Sequence, residues 1–346
     1  MNHLVFINND RLRRSYCLVF VCSVFLVIMA ANAKAQGPDD KIVSETSLVQ
    51  LNVGVVDRQG HPIINLSRNN IAIYEDGVRQ TIQNFEPVEA PFSLVMLLDM
   101  SGSTVTFRQQ ISMAAFRFLD ALAPDDRVAV VSFNARVKTL MPFSTNRKKL
   151  AYAIQIAQGA GETHFYDALK FALSELEKEG RLRRKAIVVL TDGLDTQMRN
   201  ADRAVVARAT TDQEAIASLN PEASPTLNQV LNEAARQGVT IYPLALPSGD
   251  PKRLPLPDPT ITGIYAAART RLQTLSDRTG GRLHEIRRLD DLARLYAEVA
   301  AELHILYTVA YQAPSQNARD GKWHEIRIDV TPPALIARTR PGYYAK

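Results

Sequence analysis

The chain has 346 residues, of which 46% are hydrophobic and 22% are charged, and its formal net charge is +5. These values are ordinary for a globular protein, and the length favours one large domain with a smaller one beside it. Four basic residues and one acidic residue lie in the first 35 positions. The rest of the chain therefore carries only about +2, which gives no support to a nucleic-acid partner.

The first 35 residues are typical of a secretory signal peptide. Three arginines precede the apolar run CLVFVCSVFLVIMA (17–30), and the small-residue stretch ANAKAQ follows it. This order predicts a signal peptide at 1–35 and export to the periplasm, the cell surface or the medium. The alternative is an uncleaved anchor in the inner membrane at 16–31, since that run is near the lower length limit for a spanning helix.

Both cysteines of the chain, Cys17 and Cys22, lie inside this apolar segment. A cleaved chain therefore contains no cysteine, which excludes disulfides, thiol catalysis and cysteine-ligated zinc from the mature protein. The polar stretch that follows, at 36–46, is interpreted as a linker.

Short β-type runs lie near both ends of the remaining chain. Apolar and polar residues alternate in them, and turns rich in glycine, asparagine and proline separate them. We expect antiparallel strands in 47–89 and in 304–346, and we expect the two segments to pair into one small β-sandwich. The expected strands are 49–57, 71–75, 81–87, 304–312, 323–330 and 335–345.

Between these segments, at 90–303, long apolar runs alternate with amphipathic helical patterns. The runs at 92–99, 127–133, 185–192 and 239–246 are nearly continuous in β-branched residues and leucine, which is typical of strands covered on both faces. This alternation predicts an α/β fold: a Rossmann-like, doubly wound, mostly parallel sheet with helices on both faces.

Three segments depart from this regular alternation. The run VKTLMPF (137–143) follows its predecessor after a few residues, so it is expected to be an antiparallel edge strand, because a parallel crossover needs more chain. The segment 198–225 is expected to hold one helix. The proline-rich segment 248–262 is expected to be an exposed loop.

Polar oxygens follow two of the predicted strands. Asp99, Ser101 and Ser103 come directly after the first, Asp192 ends another, and the loop GAGETHFYDAL between them supplies Thr163. Ligands of such sheets bind at the carboxyl ends of the strands. Two carboxylates at one sheet edge are costly unless a cation lies between them, and oxygen donors without histidine suit Mg²⁺.

This pattern resembles the metal ion-dependent adhesion site of von Willebrand factor A domains. The D-x-S-x-S motif at 99–103, the threonine of T-H-F-Y-D-A-L and the aspartate of T-D-G match that site residue by residue. The resemblance covers roughly 90–303. It implies a bound Mg²⁺, with Mn²⁺ or Ca²⁺ as alternatives, and one open coordination position for a carboxylate of a partner protein.

In that family, Ser101, Ser103 and Thr163 would correspond to direct metal ligands, and Asp99 and Asp192 would act largely through bound waters. Many relatives have a shorter glycine-rich loop than GAGETHF before the threonine, and this difference affects the reach of Thr163.

Two flanking segments look like an exported bacterial subgroup of A-domain proteins, found notably in Acidobacteria. They are NLSRNNIAIYEDGVRQTIQNFE (65–86) and RTRPGYYA (338–345).

Enzymatic alternatives have less support. A hydrolase would use Ser101 or Ser103 as nucleophile and His164 as base, but no G-x-S-x-G elbow is present. A phosphoryl-transfer reaction at Asp99 is disfavoured because aspartate-nucleophile phosphatases carry a second aspartate where Ser101 stands. No phosphate-binding motif indicates a nucleotide.

The sequence thus predicts a non-enzymatic, exported adhesion or protein-binding module, with no catalytic residue, no nucleotide and no nucleic-acid partner. The alternative is a scaffold or assembly subunit of a cell-envelope complex. A membrane is involved only if the N-terminal segment stays uncleaved. Near the site, Asp195 and Glu162 are interpreted as solvated charges.

Overall fold

The computed structural model describes residues 48–58, 63–86, 91–180, 183–247, 250–251, 256, 258–286, 288, 291–304, 306–314 and 320–345. The expected signal peptide or anchor, with both cysteines, and the expected linker lie outside these ranges. Within them, no helix has the length and apolar character needed to cross a membrane. The division into domains at 47–89, 90–303 and 304–346 stays a prediction.

The strands are, in chain order, β1 (Leu48–Val56), β2 (Ile71–Glu75), β3 (Val78–Gln80), β4 (Ile82–Glu86), β5 (Phe92–Asp99), β6 (Arg127–Phe133), β7 (Val137–Ser144), β8 (Arg184–Thr191), β9 (Val239–Ala245), β10 (His284–Glu285), β11 (Leu306–Gln312), β12 (Trp323–Val330), β13 (Ile336–Arg338) and β14 (Gly342–Tyr344). The α-helices are α1 (Arg108–Ala121), α2 (Arg147–Gln155), α3 (Phe165–Glu177), α4 (Thr196–Val206), α5 (Asp212–Ser218), α6 (Pro225–Gln237), α7 (Pro259–Thr279) and α8 (Leu292–Leu303).

The central sheet has six strands in the order β10-β9-β8-β5-β6-β7. Neighbours pair in parallel except β6 and β7, which are antiparallel. Strands β5, β8 and β9 are buried along their whole length because helices cover both faces. The predicted doubly wound α/β fold and the antiparallel edge strand are confirmed.

The alternating side chains of β5 divide the core into two layers. Leu94, Met96 and Leu98 pack with α1, α2 and α8 on one face of the sheet. Val95 and Leu97 pack with α3, α6 and α7 on the other face. This alternation follows from the two-residue period of a strand, and it leaves only the strand ends open to a ligand.

The flanking segments form two four-stranded sheets, with the orders β13-β1-β11-β4 and β14-β12-β2-β3. Their pairings are antiparallel, and their inner faces share one core that includes Leu51 of β1, Ile73 of β2 and Val309 of β11. The segments at the two ends of the chain therefore build one small β-sandwich, as the sequence predicts.

The expected loop at 248–262 is partly wrong, because α7 begins inside it at Pro259. The Asp258 carboxylate accepts hydrogen bonds from the backbone N–H groups of Thr260 (2.9 Å) and Ile261 (3.2 Å). An aspartate cap followed by proline at the first helical position favours a helix start. Proline here marks a helix start rather than a loop.

Two other local predictions need correction. The segment 198–225 holds α4, α5 and a short 3-10 helix at Pro221–Ala223 rather than one helix. The expected strand 335–345 is two strands, with β13 on β1 and β14 on β12. Pro341 lies between them and has no N–H with which to continue a ladder, so the chain passes to the other sheet.

His284 of β10 is a buried histidine at the edge of the central sheet, with 4% of its surface exposed. Its Nε2 atom has no hydrogen-bond partner among the described residues. Burial, helped by the nearby Arg282 guanidinium, lowers the pKa of His284 to about 4.

Acidification is therefore expected to destabilise the fold through His284. The unfolded chain binds this proton near the ordinary pKa of 6.5 and the folded chain only near 4, so stability is lost as the pH falls between these values. The loss is up to about 3 kcal/mol. The difference in unfolding free energy between the wild type and His284→Leu, measured in urea across this pH range, isolates this contribution. A difference that does not change with pH contradicts the assignment.

Candidate metal centre

The loop that follows β5 is tightly fixed around Asp99. Asp99 Oδ1 accepts a hydrogen bond from the backbone N–H of Ser101 at 3.0 Å, and the Thr104 hydroxyl donates to the Asp99 carbonyl oxygen at 2.7 Å. Ser101 stands directly before the short 3-10 helix Gly102–Phe107. These bonds turn the chain sharply at the strand end and hold Ser101 beside Asp99.

The end of β8 is hydrogen-bonded to the end of β5. The Thr191 hydroxyl donates to Asp99 Oδ2 at 2.7 Å and accepts from the Gly193 N–H at 3.0 Å, and Asp192 Oδ1 accepts from the Leu194 N–H at 3.0 Å. Thr191 orients the Asp99 carboxylate, and the sequence prediction missed it. The sequence feature that could have identified Thr191 is its position directly before Asp192 in T-D-G.

Asp99 and Asp192 are both fully buried, with 0% of their surface exposed. Burial raises the pKa of Asp99 to about 7, and repulsion from the Asp192 carboxylate adds to the effect. Two neighbouring buried carboxylates destabilise each other when both are ionised. A cation between them reverses the sign of that interaction.

The two serines of the motif lie side by side, with 3.2 Å between the Oγ atoms of Ser101 and Ser103. Ser101 is buried, whereas Ser103 is exposed. The hydroxyl pair therefore leads from the buried carboxylates to the solvent at this edge of the sheet.

The loop with Thr163 is held against both strand-end loops. The Gly102 N–H donates to the Gly161 carbonyl oxygen at 3.0 Å. On the other side, Thr163 donates its N–H to the Thr196 hydroxyl at 3.0 Å and accepts from the Thr196 N–H at 2.8 Å. Thr163 is itself buried, at 6% exposed. The structure thus brings the loops of all five predicted residues to one sheet edge.

The longer loop before Thr163 requires glycine at position 159. A Cβ atom on Gly159 would lie 2.5 Å from the Met100 carbonyl oxygen, closer than any side chain tolerates. The Arg108 guanidinium bridges the same two backbones by donating to the carbonyl oxygens of Met100, at 3.2 Å, and of Gly159. The absence of a side chain at Gly159 therefore lets the loop pack directly against the backbone of Met100.

The interpretation of Asp195 as a solvated charge is wrong. Asp195 is 6% exposed, and its carboxylate accepts from the N–H groups of Gln197 (2.9 Å) and Met198 (3.1 Å) at the start of α4 and from Phe165 (2.9 Å) in α3. It fastens the two helices that flank Thr163. Glu162 is exposed, with 64% of its side chain accessible, as expected.

The donor set fits a hard divalent cation. Two carboxylates and three hydroxyls are all oxygen donors, which Mg²⁺ prefers, and the buried carboxylate pair gains most from a positive charge. The serine–histidine arrangement of a hydrolase is not found among the described contacts. The ring nitrogens of His164 lie 3.5 Å from Glu162 and 3.8 Å from Asp167, and the Ser101 hydroxyl pairs with Ser103.

The region that contains the candidate centre is similar to known proteins. Residues 94–194 match the family model of the von Willebrand factor type A domain. The match begins in β5 and ends just after Asp192, so it contains all five residues of the candidate centre.

A curated relative, the uncharacterized protein sll0103 of Synechocystis sp. (strain ATCC 27184 / PCC 6803 / Kazusa), is 32% identical over 106 residues, or 30% of this chain. The chain spans 25% of that relative's length.

Three solved structures are similar in part. The vWF domain of the type V pili tip protein Mfa5 from Porphyromonas gingivalis is 17% identical, with a TM-score of 0.47 over 63% of this chain and 96% of that chain. An aerotolerance-related membrane protein from Bacteroides fragilis NCTC 9343 is 14% identical, with a TM-score of 0.43 over 61% of this chain and 98% of that chain. A von Willebrand factor type A structure from Catenulispora acidiphila is 13% identical, with a TM-score of 0.45 over 88% of this chain and 64% of that chain.

Proposed function

We propose that this chain is an exported, non-enzymatic protein-binding module that recognises an acidic side chain of a partner protein through a divalent metal, preferably Mg²⁺. A von Willebrand factor type A domain is typically a protein-interaction module. The observation that carries the proposal is the buried pair Asp99 and Asp192, which is connected to the surface through the hydroxyls of Ser101 and Ser103. Export rests on the signal-peptide pattern at 1–35.

Each residue has a distinct role in this proposal. The hydroxyls of Ser101, Ser103 and Thr163 would bind the metal directly, and Asp99 and Asp192 would hold its waters and balance its charge. When bound, the metal supplies positive charge and one open coordination position. The exposed side of Ser103 marks where a partner's carboxylate approaches.

The rigid surroundings prepare the site for this task. Thr191 keeps the Asp99 carboxylate in one orientation, and Asp195 fixes the start of α3 and α4 beside Thr163. Since these groups are ordered by the fold, little conformational entropy is lost when the partner binds.

Ser103→Ala tests the proposal with little risk to folding, because Ser103 is exposed. Its Mn²⁺ affinity, measured by titration of the purified chain, should fall at least about tenfold. Capture of envelope proteins should depend on divalent cation and be lost in EDTA and in this variant. Ser174→Ala, at an exposed serine of α3, serves as the matched control. Unchanged metal affinity in Ser103→Ala, or capture that is indifferent to EDTA, contradicts the proposal.

A further inference from the structure

A second group of metal-ligating side chains lies in the β-sandwich, far in sequence from the first centre. Glu75 and Asp76 stand at the end of β2, where the hairpin turns into β3, and His324 lies on the neighbouring strand β12. One ligand atom from each of the three lies within 4.8 Å of the others. His324 Nδ1 is 2.7 Å from Asp76 Oδ2 and 3.9 Å from Glu75 Oε1.

In each of the two carboxylates, the oxygen that does not face His324 accepts hydrogen bonds from other groups. Asp76 Oδ1 accepts from the Glu325 N–H at 2.9 Å. Glu75 Oε2 accepts from the hydroxyls of Tyr311 at 2.5 Å and Tyr343 at 3.1 Å. These bonds fix both carboxylates with their other oxygens toward His324.

His324 is oriented in the same manner. Its ring is 4% exposed, and Nε2 donates to Asp320 Oδ1 at 3.0 Å. A histidine that binds a metal through one ring nitrogen almost always donates the other N–H to a carboxylate or carbonyl. The arrangement Asp320–His324 therefore has the form of a supported metal ligand.

We propose that Glu75, Asp76 and His324 form a second cation site, which takes a divalent transition metal of the Zn²⁺ class. One imidazole nitrogen and two carboxylate oxygens are typical zinc ligands, whereas Mg²⁺ prefers oxygen donors alone. The proposal is independent of the function assigned to the first centre.

The geometry needs only a small adjustment to accept the ion. Ligands of a tetrahedral zinc stand roughly 3.3 Å apart, so Asp76 Oδ2 must retreat from His324 Nδ1 by less than about 1 Å. The Asp76 side chain is 43% exposed and lies in a turn, which permits the shift and gives the ion a path from solvent. A water completes the fourth position.

The charged and titratable groups that face the His324 ring are the three carboxylates Glu75, Asp76 and Asp320, with the Tyr311 and Tyr343 hydroxyls on Glu75.

The consequence of binding is a cross-link between the β2–β3 hairpin and β12. Residues Asp76 and His324 are far apart in sequence, and the described residues contain no cysteine that could form a disulfide in their place. The metal would therefore stabilise the sandwich in a chain that has no covalent cross-link there.

Zn²⁺ titration of the purified full-length chain by calorimetry tests the site. Asp76→Asn should weaken Zn²⁺ binding by more than about 100-fold and Asp320→Asn by about 10–100-fold. Asparagine keeps the acceptor for the Glu325 N–H and tolerates the positive φ of 49° at this turn, so Asp76→Asn is expected to fold.

Two further variants distinguish Zn²⁺ binding at this site from Zn²⁺ binding at the first centre or at exposed carboxylates. Asp99→Asn, which alters the first centre, should leave Zn²⁺ affinity and the zinc-induced rise in Tm unchanged. Asp329→Asn, at an exposed aspartate of the same strand β12, is the matched control and should also leave them unchanged. Zn²⁺ binding of equal strength in wild type and Asp76→Asn, or its loss in Asp99→Asn alone, overturns the proposal.

Discussion

In EDTA, Asp99→Asn should unfold at a higher urea concentration than the wild type, and in excess Mg²⁺ the order should be reversed. Asparagine has the size of aspartate but no charge. It therefore removes the repulsion between positions 99 and 192, where both side chains are fully buried. The gain without metal is roughly 2–4 kcal/mol, because one pKa unit corresponds to about 1.4 kcal/mol.

With Mg²⁺ present, metal binding should stabilise the folded wild type but not the variant. A ligand at about 100 times its Kd stabilises the folded state by about 2.7 kcal/mol. Asp99→Asn loses the charge that balances the cation, so its unfolding free energy should respond little to Mg²⁺. Asp167→Asn, at an exposed aspartate in the first turn of α3, controls for loss of a nearby charge. The same stability order with and without Mg²⁺ would show that no metal binds beside Asp99.

Asp99 and His284 contribute to the pH dependence of the metal-free wild type with opposite signs. The pKa of Asp99 is raised from 3.8 to about 7 by burial and by Asp192. The folded chain therefore holds a proton that the unfolded chain releases in this range, and the contribution of Asp99 to stability falls as the pH rises from about 4 to about 7. This contribution is absent from Asp99→Asn and is suppressed by Mg²⁺ in the wild type.

Asp202→Ala is expected to destabilise the fold by about 3–5 kcal/mol. The Asp202 carboxylate on α4 accepts two hydrogen bonds from the Arg271 guanidinium on α7, at 2.6 and 2.8 Å, and both side chains are only 7% exposed. The variant leaves a buried guanidinium without its carboxylate, which costs far more than an exposed pair.

Denaturant unfolding measures this loss, and a double variant identifies its cause. Asp202→Leu combined with Arg271→Met replaces the pair with apolar side chains and should recover most of the stability. Glu233→Ala, in an exposed pair with Arg236, should cost less than about 1 kcal/mol. If the double variant is as unstable as Asp202→Ala, the loss comes from packing rather than from the unpaired charge.

Much of the fold could be predicted from the sequence because its strongest signals are local. Runs such as 92–99 have no polar residue before Asp99 except Ser93, and only a strand covered on both faces accommodates them. Helix starts were predicted less well. At Pro259 the same proline that is typical of a loop begins a helix, because Asp258 caps it.

The candidate metal centre could be predicted only as a set of residue types in order. Asp99, Ser101 and Ser103 are close in sequence, and one sharp turn brings them together. That Asp99 and Asp192 share one buried space depends on the parallel register of β5 and β8. The same register sets Thr191 on the Asp99 carboxylate, a contact that no local pattern encodes.

Periodicity and turn chemistry are enough to predict the layers of the sheet, the flanking β-strands and the oxygen donors at the strand ends. The burial of particular carboxylates, the hydroxyls that orient them and the contact of Asp76 with His324 across two paired strands are visible only in the folded chain. Burial and pairing depend on strand register and helix packing between distant segments, which local sequence does not specify.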